Sequence, residues 1–257
     1  MLITRVIPCL LLKGTGLVKT TRFKNPKYVG DPINTVRIFN EKEVDELLFL
    51  DIEATNSEKD PNYELLTEIA NECFMPLAYG GGIRTLEQAK RIFNIGVEKV
   101  AINSAAHTNK NLIREIAAIF GSQAVIGVID VKKNLWGKYK VVSNSTRKTH
   151  KLSPVEWARE LEDMGVGEIL LTSVDREGTW SGFDLELTAL VSTSVKVPVI
   201  AHGGAGSIEH LLSAIKYGKA SALAIGSMVV YQKNGFGILV NFPEKAQLEL
   251  LQSKRSS

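Results

Sequence analysis

Apolar residues in this chain fall in short unbroken runs rather than in strict alternation. The runs are Arg5–Leu12, Glu46–Ile52, Met75–Tyr79, Lys99–Ile102, Ala124–Val131, Glu168–Thr172, Pro198–Ala201 and Ala222–Ile225. Continuous apolarity predicts strands covered on both faces, as in parallel sheets. The intervening segments carry helical spacing. Asp31-Pro32 and Ser153-Pro154 read as helix starts, with a capping side chain followed by Pro at the first helical position. Further helices are predicted over Pro61–Cys73, Leu86–Phe93, Asn109–Phe120, Leu185–Ser192, Ser207–Tyr217 and Pro243–Leu251. Eight strands alternating with helices close into an α/β (β/α)8 TIM barrel more readily than into a doubly wound open sheet.

Two strands empty into glycine turns at helix starts, Tyr79-Gly80-Gly81-Gly82 and His202-Gly203-Gly204-Ala205-Gly206, about 122 positions apart. Such a turn suits an anion, because N–H groups can close on it without a Cβ in the way. A tight turn with no ligand is the plainer reading of either copy alone. Other features recur at nearly the same offset. Glu46–Asp51 answers to Glu168–Ser173, and Asn103-Ser104 answers to Gly226-Ser227 with one residue of slippage. A half-length repeat predicts two half-barrels, about 1–120 and 121–240, which need each other to close one domain spanning 1–257.

The polar stretch from Lys13 to Asp31 carries five cations and no acid before Asp31. It reads as a long loop, either a lid over an anion or a solvated surface segment. Lys132–Ser143 reads as an inserted hairpin, and the tail Ser253–Ser257 as frayed.

The apolar fraction of 44% and the net charge of +3 describe a soluble globular chain with no general nucleic-acid surface. Only Cys9 and Cys73 are present, which suggests cytoplasmic, reduced usage. No apolar run is long enough to span a membrane, so no membrane association is expected.

In such barrels chemistry sits at the C-terminal ends of the strands. The inventory there is glycines, small hydroxyls and an amide, without metal-ligand clusters or a nucleophile–His pair, so no metal or cofactor is expected. The repeat implies two facing anion cradles, suited to a phosphorylated small molecule. Asp130 ends the fifth strand, where a general acid or base would work; a hydrogen-bonded structural carboxylate is the alternative. Its counterpart in the first half is Leu11, which cannot move a proton. At the opposite face Arg5, Glu46, Lys99 and Glu168 open four strands. They can form a ring of ion pairs, either structural or a gate to the barrel axis for a small polar molecule.

The chain resembles the HisF family, the cyclase subunit of imidazole glycerol phosphate synthase, from Met1 to about residue 232. The resemblance rests on Gly80-Gly81-Gly82-Ile83-Arg84, Asn103–Ala106, Phe120–Val125, Glu168–Ser173 with Asp175–Thr179, and His202–Gly206. It implies that Gly82, Asn103 and Ser104 hold one phosphate, and that Glu177, Gly178, Gly204 and Gly226 hold another. It makes Lys19 the lid lysine and Arg5, Glu46, Lys99 and Glu168 an ammonia gate. It also implies a HisH-like glutaminase docked on the N-terminal face. The family's cyclase uses two aspartates; Asp130 matches one, and Leu11 stands at the other.

That departure resembles HisF paralogues found with bacterial surface-sugar genes. There the barrel supplies ammonia to a separate sugar amidotransferase that converts an acetamido to an acetamidino group. The competing readings are a histidine-pathway cyclase with a relocated acid, a silent scaffold that only activates its glutaminase, and a one-chain sugar-phosphate isomerase.

Overall fold

The computed structural model describes residues 4–55, 57, 59–143 and 148–253. The expected frayed tail therefore lies almost wholly outside the described residues. Eight parallel strands form the barrel: β1 (Arg5–Lys13), β2 (Leu47–Asp51), β3 (Leu77–Gly80), β4 (Lys99–Ile102), β5 (Val125–Lys133), β6 (Glu168–Ser173), β7 (Val199–His202) and β8 (Ala222–Ile225). Each pairs with its successor, and β8 returns to β1 through Arg5↔Ala222 to Pro8↔Ile225, so the sheet closes. The fold is a (β/α)8 barrel, and the strands fall where the apolar runs predict them.

The helices are set by their ends. Asp31 accepts from the Asn34 N–H at the start of Pro32–Glu41. Thr85 with Gln88, and Ser153 with Glu156, form reciprocal capping boxes. Gly96 and Gly165 close their helices in the left-handed conformation. Two short helices were not predicted, Ser104–Thr108 after β4 and Ser227–Val230 after β8. They start from Asn103 (φ −116°, ψ −89°) and Gly226 (φ −112°, ψ −80°), nearly the same backbone twist in the two halves.

The Lys13–Asp31 stretch is not a loop. Gly16–Thr21 pairs antiparallel with the end of β1 and with Lys24–Gly30, forming a hairpin above the barrel. Leu17 and Val18 bury against β1 and give the strand its anchor. Arg22 and Phe23 turn the chain at positive φ without a glycine, which is why turn chemistry does not announce it. The hairpin expected after β5 is present, with Tyr139–Ser143 antiparallel to β5.

Two cores result. Outside the strands, residues such as Phe39, Leu66, Ile92, Ile113 and Leu161 pack helices onto the sheet. Inside lies a separate small cluster of Ile7, Cys9, Leu48, Ala78, Ala101, Ile126, Val128, Leu170, Ile200, Ala222 and Ala224. Its members follow the period of two that points alternate side chains inward. Burial pushes the Cys9 thiol up to about 12, leaving it inert as a nucleophile.

Phe39 is fully buried and meets Phe242 edge-on with ring centroids 6.5 Å apart, tying the first helix to the chain's last described segment. Phe39→Ala is expected to cost about 3–5 kcal/mol in urea unfolding. A loss under ~1 kcal/mol would show that this contact is incidental.

Candidate functional site at the two ends of the barrel

At the N-terminal end, the four inward charges close into one ring. Arg5 bonds Glu46 at 2.5 Å and also pairs with Glu168, while Lys99 reaches Glu46 at 2.9 Å and Glu168 at 3.1 Å. Every charge has two opposite neighbours, which offsets the desolvation that the barrel interior imposes. Burial works against the Arg5 charge, but the carboxylates of Glu168 and Glu46 outweigh it and hold its pKa above the usual value. Above this ring comes the small apolar cluster, with no charged member.

At the C-terminal end a cavity of about 810 Å³ opens, lined among others by Leu11, Gly82, Asn103, Ser104, Asp130 and His202. Leu11 is buried and presents hydrocarbon to it. Asp130 is also buried. Burial raises its pKa to about 7, against the opposing pull of hydrogen bonds from Asn103 and Thr172. Asn103 donates Nδ2–H to Asp130 Oδ2 at 2.8 Å, while its own buried Oδ1 has no donor among the described residues.

A second buried titratable side chain, not singled out from the sequence, lies two strands from Asp130. His202 ends β7, and its Nδ1 lies 3.1 Å from Thr172 Oγ1. Thr172 pairs in register with Asp130 on one side and with His202 on the other. A hydroxyl has one proton to donate. When Thr172 donates to the Asp130 carboxylate, His202 Nδ1–H must donate to Thr172, leaving Nε2 with the lone pair. Burial, and then the nearby Lys19, push the His202 pKa down to about 4, so the ring is neutral near pH 7. Asn103, Asp130, Thr172 and His202 thus form one hydrogen-bonded line linking β4 to β7.

The remaining candidate residues divide between two cradles. Gly82 donates its N–H to Thr55 Oγ1 at 3.2 Å, and Ser104 Oγ lies 3.1 Å from Ser143 Oγ; both face the large cavity. The cradle of Glu177, Gly178, Gly204 and Gly226 is nearly filled, with about 10 Å³ left, room for about one water. Lys19 fills it. The Lys19 ammonium bonds Glu177 Oε1 at 2.5 Å, with both side chains buried, and the side chain packs against Gly226. Thr20 Oγ1 and the Phe23 N–H also donate to the Glu177 carboxylate at 3.0 Å. Burial alone would raise the Glu177 pKa, but Lys19 outweighs it and holds the carboxyl below its usual value.

The sequence profile described as histidine biosynthesis protein matches residues 5–234. A putative imidazole glycerol phosphate synthase subunit, hisF2, of Pseudomonas aeruginosa is 54% identical over 96% of this chain and 98% of its own length. The chain belongs to the HisF family. Putative imidazole glycerol phosphate synthase subunits of Leptospira borgpetersenii (HisF; 98% of this chain and 99% of that one) and Vibrio vulnificus (hisF3; 96% and 95%) are 44% and 42% identical. Among the described residues no cluster of three or more His, Cys, Asp or Glu is arranged to hold a metal ion, and no helix is long and apolar enough to cross a membrane.

Two measurements probe this site. Glu177→Gln leaves Lys19 as an unpaired buried charge, so it is expected to cost about 3–5 kcal/mol and to speed tryptic cleavage at Arg22 and Lys24; unchanged stability and cleavage would refute the pairing's role. The protonated-carboxyl infrared band lost in Asp130→Asn is expected to titrate near pH 7 rather than near 4.

Proposed function

We propose that this chain is the ammonia-carrying barrel of a glutamine-dependent amidotransferase. A HisH-like glutaminase docks on the N-terminal face and releases ammonia at the ring of Arg5, Glu46, Lys99 and Glu168. Phe74, 84% exposed just before β3, offers that partner an apolar contact on the same face. The ring opens by loosening one of its pairs. Neutral ammonia then crosses the inner cluster, where Ala78, Ala101, Ala222 and Ala224 are the slimmest side chains, while ammonium is held back by the cost of entering an apolar layer. It arrives beside Asp130, Thr172 and His202. A separate sugar amidotransferase takes it up to turn an acetamido into an acetamidino group on a surface-polysaccharide sugar.

The observation that carries this reading is the closed floor ring together with Leu11 opposite Asp130: the entry is intact and one of two acid–base positions is hydrocarbon. The cradles bear on the ligand too. Gly82, Asn103 and Ser104 line the large cavity, which has room for a phosphate. The cradle of Glu177, Gly178, Gly204 and Gly226 admits a second phosphate only when the hairpin withdraws Lys19. A ligand phosphorylated at one end therefore fits better than one phosphorylated at both.

One observation favours a second reading, a histidine-pathway cyclase with a relocated acid. His202, joined to Asp130 through Thr172, could supply the missing proton handler. Direct assay separates the two. With ammonium supplied, this chain is expected not to cyclise the bisphosphate ribulosyl intermediate of histidine synthesis; turnover at a normal cyclase rate that His202→Ala abolishes would establish the cyclase instead. In the complete amidotransferase, Lys99→Ala is expected to lower glutamine-driven transfer about tenfold while transfer from added ammonium persists. An unaffected glutamine-driven rate would leave the barrel only a scaffold.

A further inference from the structure

Two segments of the sequence contain no acidic residue, and their described residues lie on the C-terminal side of the barrel. Residues 13–30 carry Lys13, Lys19, Arg22, Lys24 and Lys27, and residues 131–155 carry six lysines and Arg147. Together they hold 12 of the 31 cationic side chains and none of the 28 acids, so the rest of the chain, with 19 cations, is net negative. The acids that face the second segment meet it at Lys133 and Tyr139, the last strand pair before the turn. Asp175 accepts from the Lys133 N–H, Glu186 lies 3.7 Å from Lys133 Nζ, and Asp184 accepts from the Tyr139 hydroxyl. Lys132, one strand pair nearer the barrel, and Lys138, in the turn, make no ion pair among the described residues.

At the tip of this hairpin stand Leu135 and Trp136, 99% and 82% exposed. The tip is built, not slack. Asn134 Oδ1 accepts from the N–H groups of Trp136 and Lys138 at 3.0 and 2.9 Å. The Asn134 N–H donates to the Lys138 carbonyl, and the Gly137 N–H to the Asn134 carbonyl. Gly137 takes φ +74°, with nothing within 4 Å of the place its Cβ would occupy. A leucine and a tryptophan exposed on a hydrogen-bonded turn, with Lys132 and Lys138 nearby and unpaired among the described residues, have the make-up of an interface anchor with a charged rim. Preorganisation lowers the entropy lost on docking.

We infer that the Asn134–Lys138 tip docks the enzyme that accepts the ammonia, a protein offering Leu135 and Trp136 an apolar pocket with an acidic rim. This rests on the conduit reading above. The tip projects on the side where the large cavity opens. Ammonia released there gains a proton in bulk water and stops being a nucleophile, so the acceptor has to cover that mouth. A second copy of this chain would bring the same cations against themselves. A lipid surface would accept the tip, but neutral ammonia would dissolve into it and be lost.

The test uses the full chain with a HisH-like glutaminase and a sugar amidotransferase from the same organism. Binding to the amidotransferase is measured by calorimetry, and transfer with glutamine or with added ammonium. Trp136→Ala with Leu135→Ser is expected to weaken binding about 30-fold. Glutamine-driven transfer should fall in parallel, with glutaminase binding, thermal stability and ammonium-driven transfer unchanged. Lys132→Glu with Lys138→Glu should weaken binding too and flatten its salt dependence. Unchanged affinity in both double variants overturns the proposal. So does loss, in the tip variant, of self-association by sedimentation or of binding to phosphatidylglycerol vesicles while amidotransferase binding persists. The two inferences fail separately. If only docking is wrong, Lys99→Ala lowers glutamine-driven transfer and the tip variants do not; if only the conduit is wrong, the tip variants lose binding and Lys99→Ala leaves transfer intact.

Discussion

Everything inside this barrel follows from its closure. Once β8 pairs with β1, every second side chain on each strand is enclosed, and an enclosed charge must find an opposite one. Along β1 the inward series is Arg5, Ile7, Cys9 and Leu11; along β6 it is Glu168, Leu170 and Thr172. Charge stands at the floor of four strands, through Arg5, Glu46, Lys99 and Glu168, while hydrocarbon fills the middle of all eight. The floor satisfies itself as a four-membered ring. The rim satisfies itself as the line from Asn103 to His202. The middle, an apolar cluster, has no charge to satisfy.

Much of this was legible in the sequence because parity and period are local. The apolar runs place the strands, and Arg5, Glu46, Lys99 and Glu168 stand at strand starts where an enclosed charge needs a partner. The half-length repeat places the two glycine turns. The illegible parts depend on contacts distant in sequence. Lys19 reads as the lysine of a lid, and its burial is not anticipated because lysines seldom bury; only the fold brings Glu177, 158 positions away, to meet it. The hairpin around it reads as loop because its lysines mask a short strand and its turn uses Arg22 and Phe23 instead of glycine. His202 reads as part of a glycine turn because its partner Thr172 is 30 positions earlier and becomes a neighbour only through the β6–β7 register.

The two rims are no longer equivalent. In the first half the cradle opens on a wide cavity, and its Asn103 carries an unmatched carbonyl oxygen. In the second half the corresponding space holds a lysine locked to a glutamate. The first half has Leu11 where the second has Asp130, and Gly80 where the second has His202. The halves therefore differ in side chains that project into the cavity, on a backbone whose twists at Asn103 and Gly226 still match.

The glycine turns show why that backbone is so fixed. A Cβ on Gly81 would sit 2.4 Å from the Asp51 carbonyl oxygen, and one on Gly203 would sit 2.7 Å from the Ser173 carbonyl oxygen. Those carbonyls end the neighbouring strands β2 and β6, so the clash is with the barrel itself, whatever lies above it. Each glycine is thus a keystone of the architecture before it is a contact for any guest. A lineage could abandon its original substrate altogether and still be compelled by sterics to keep the signature by which that substrate's enzymes are recognised.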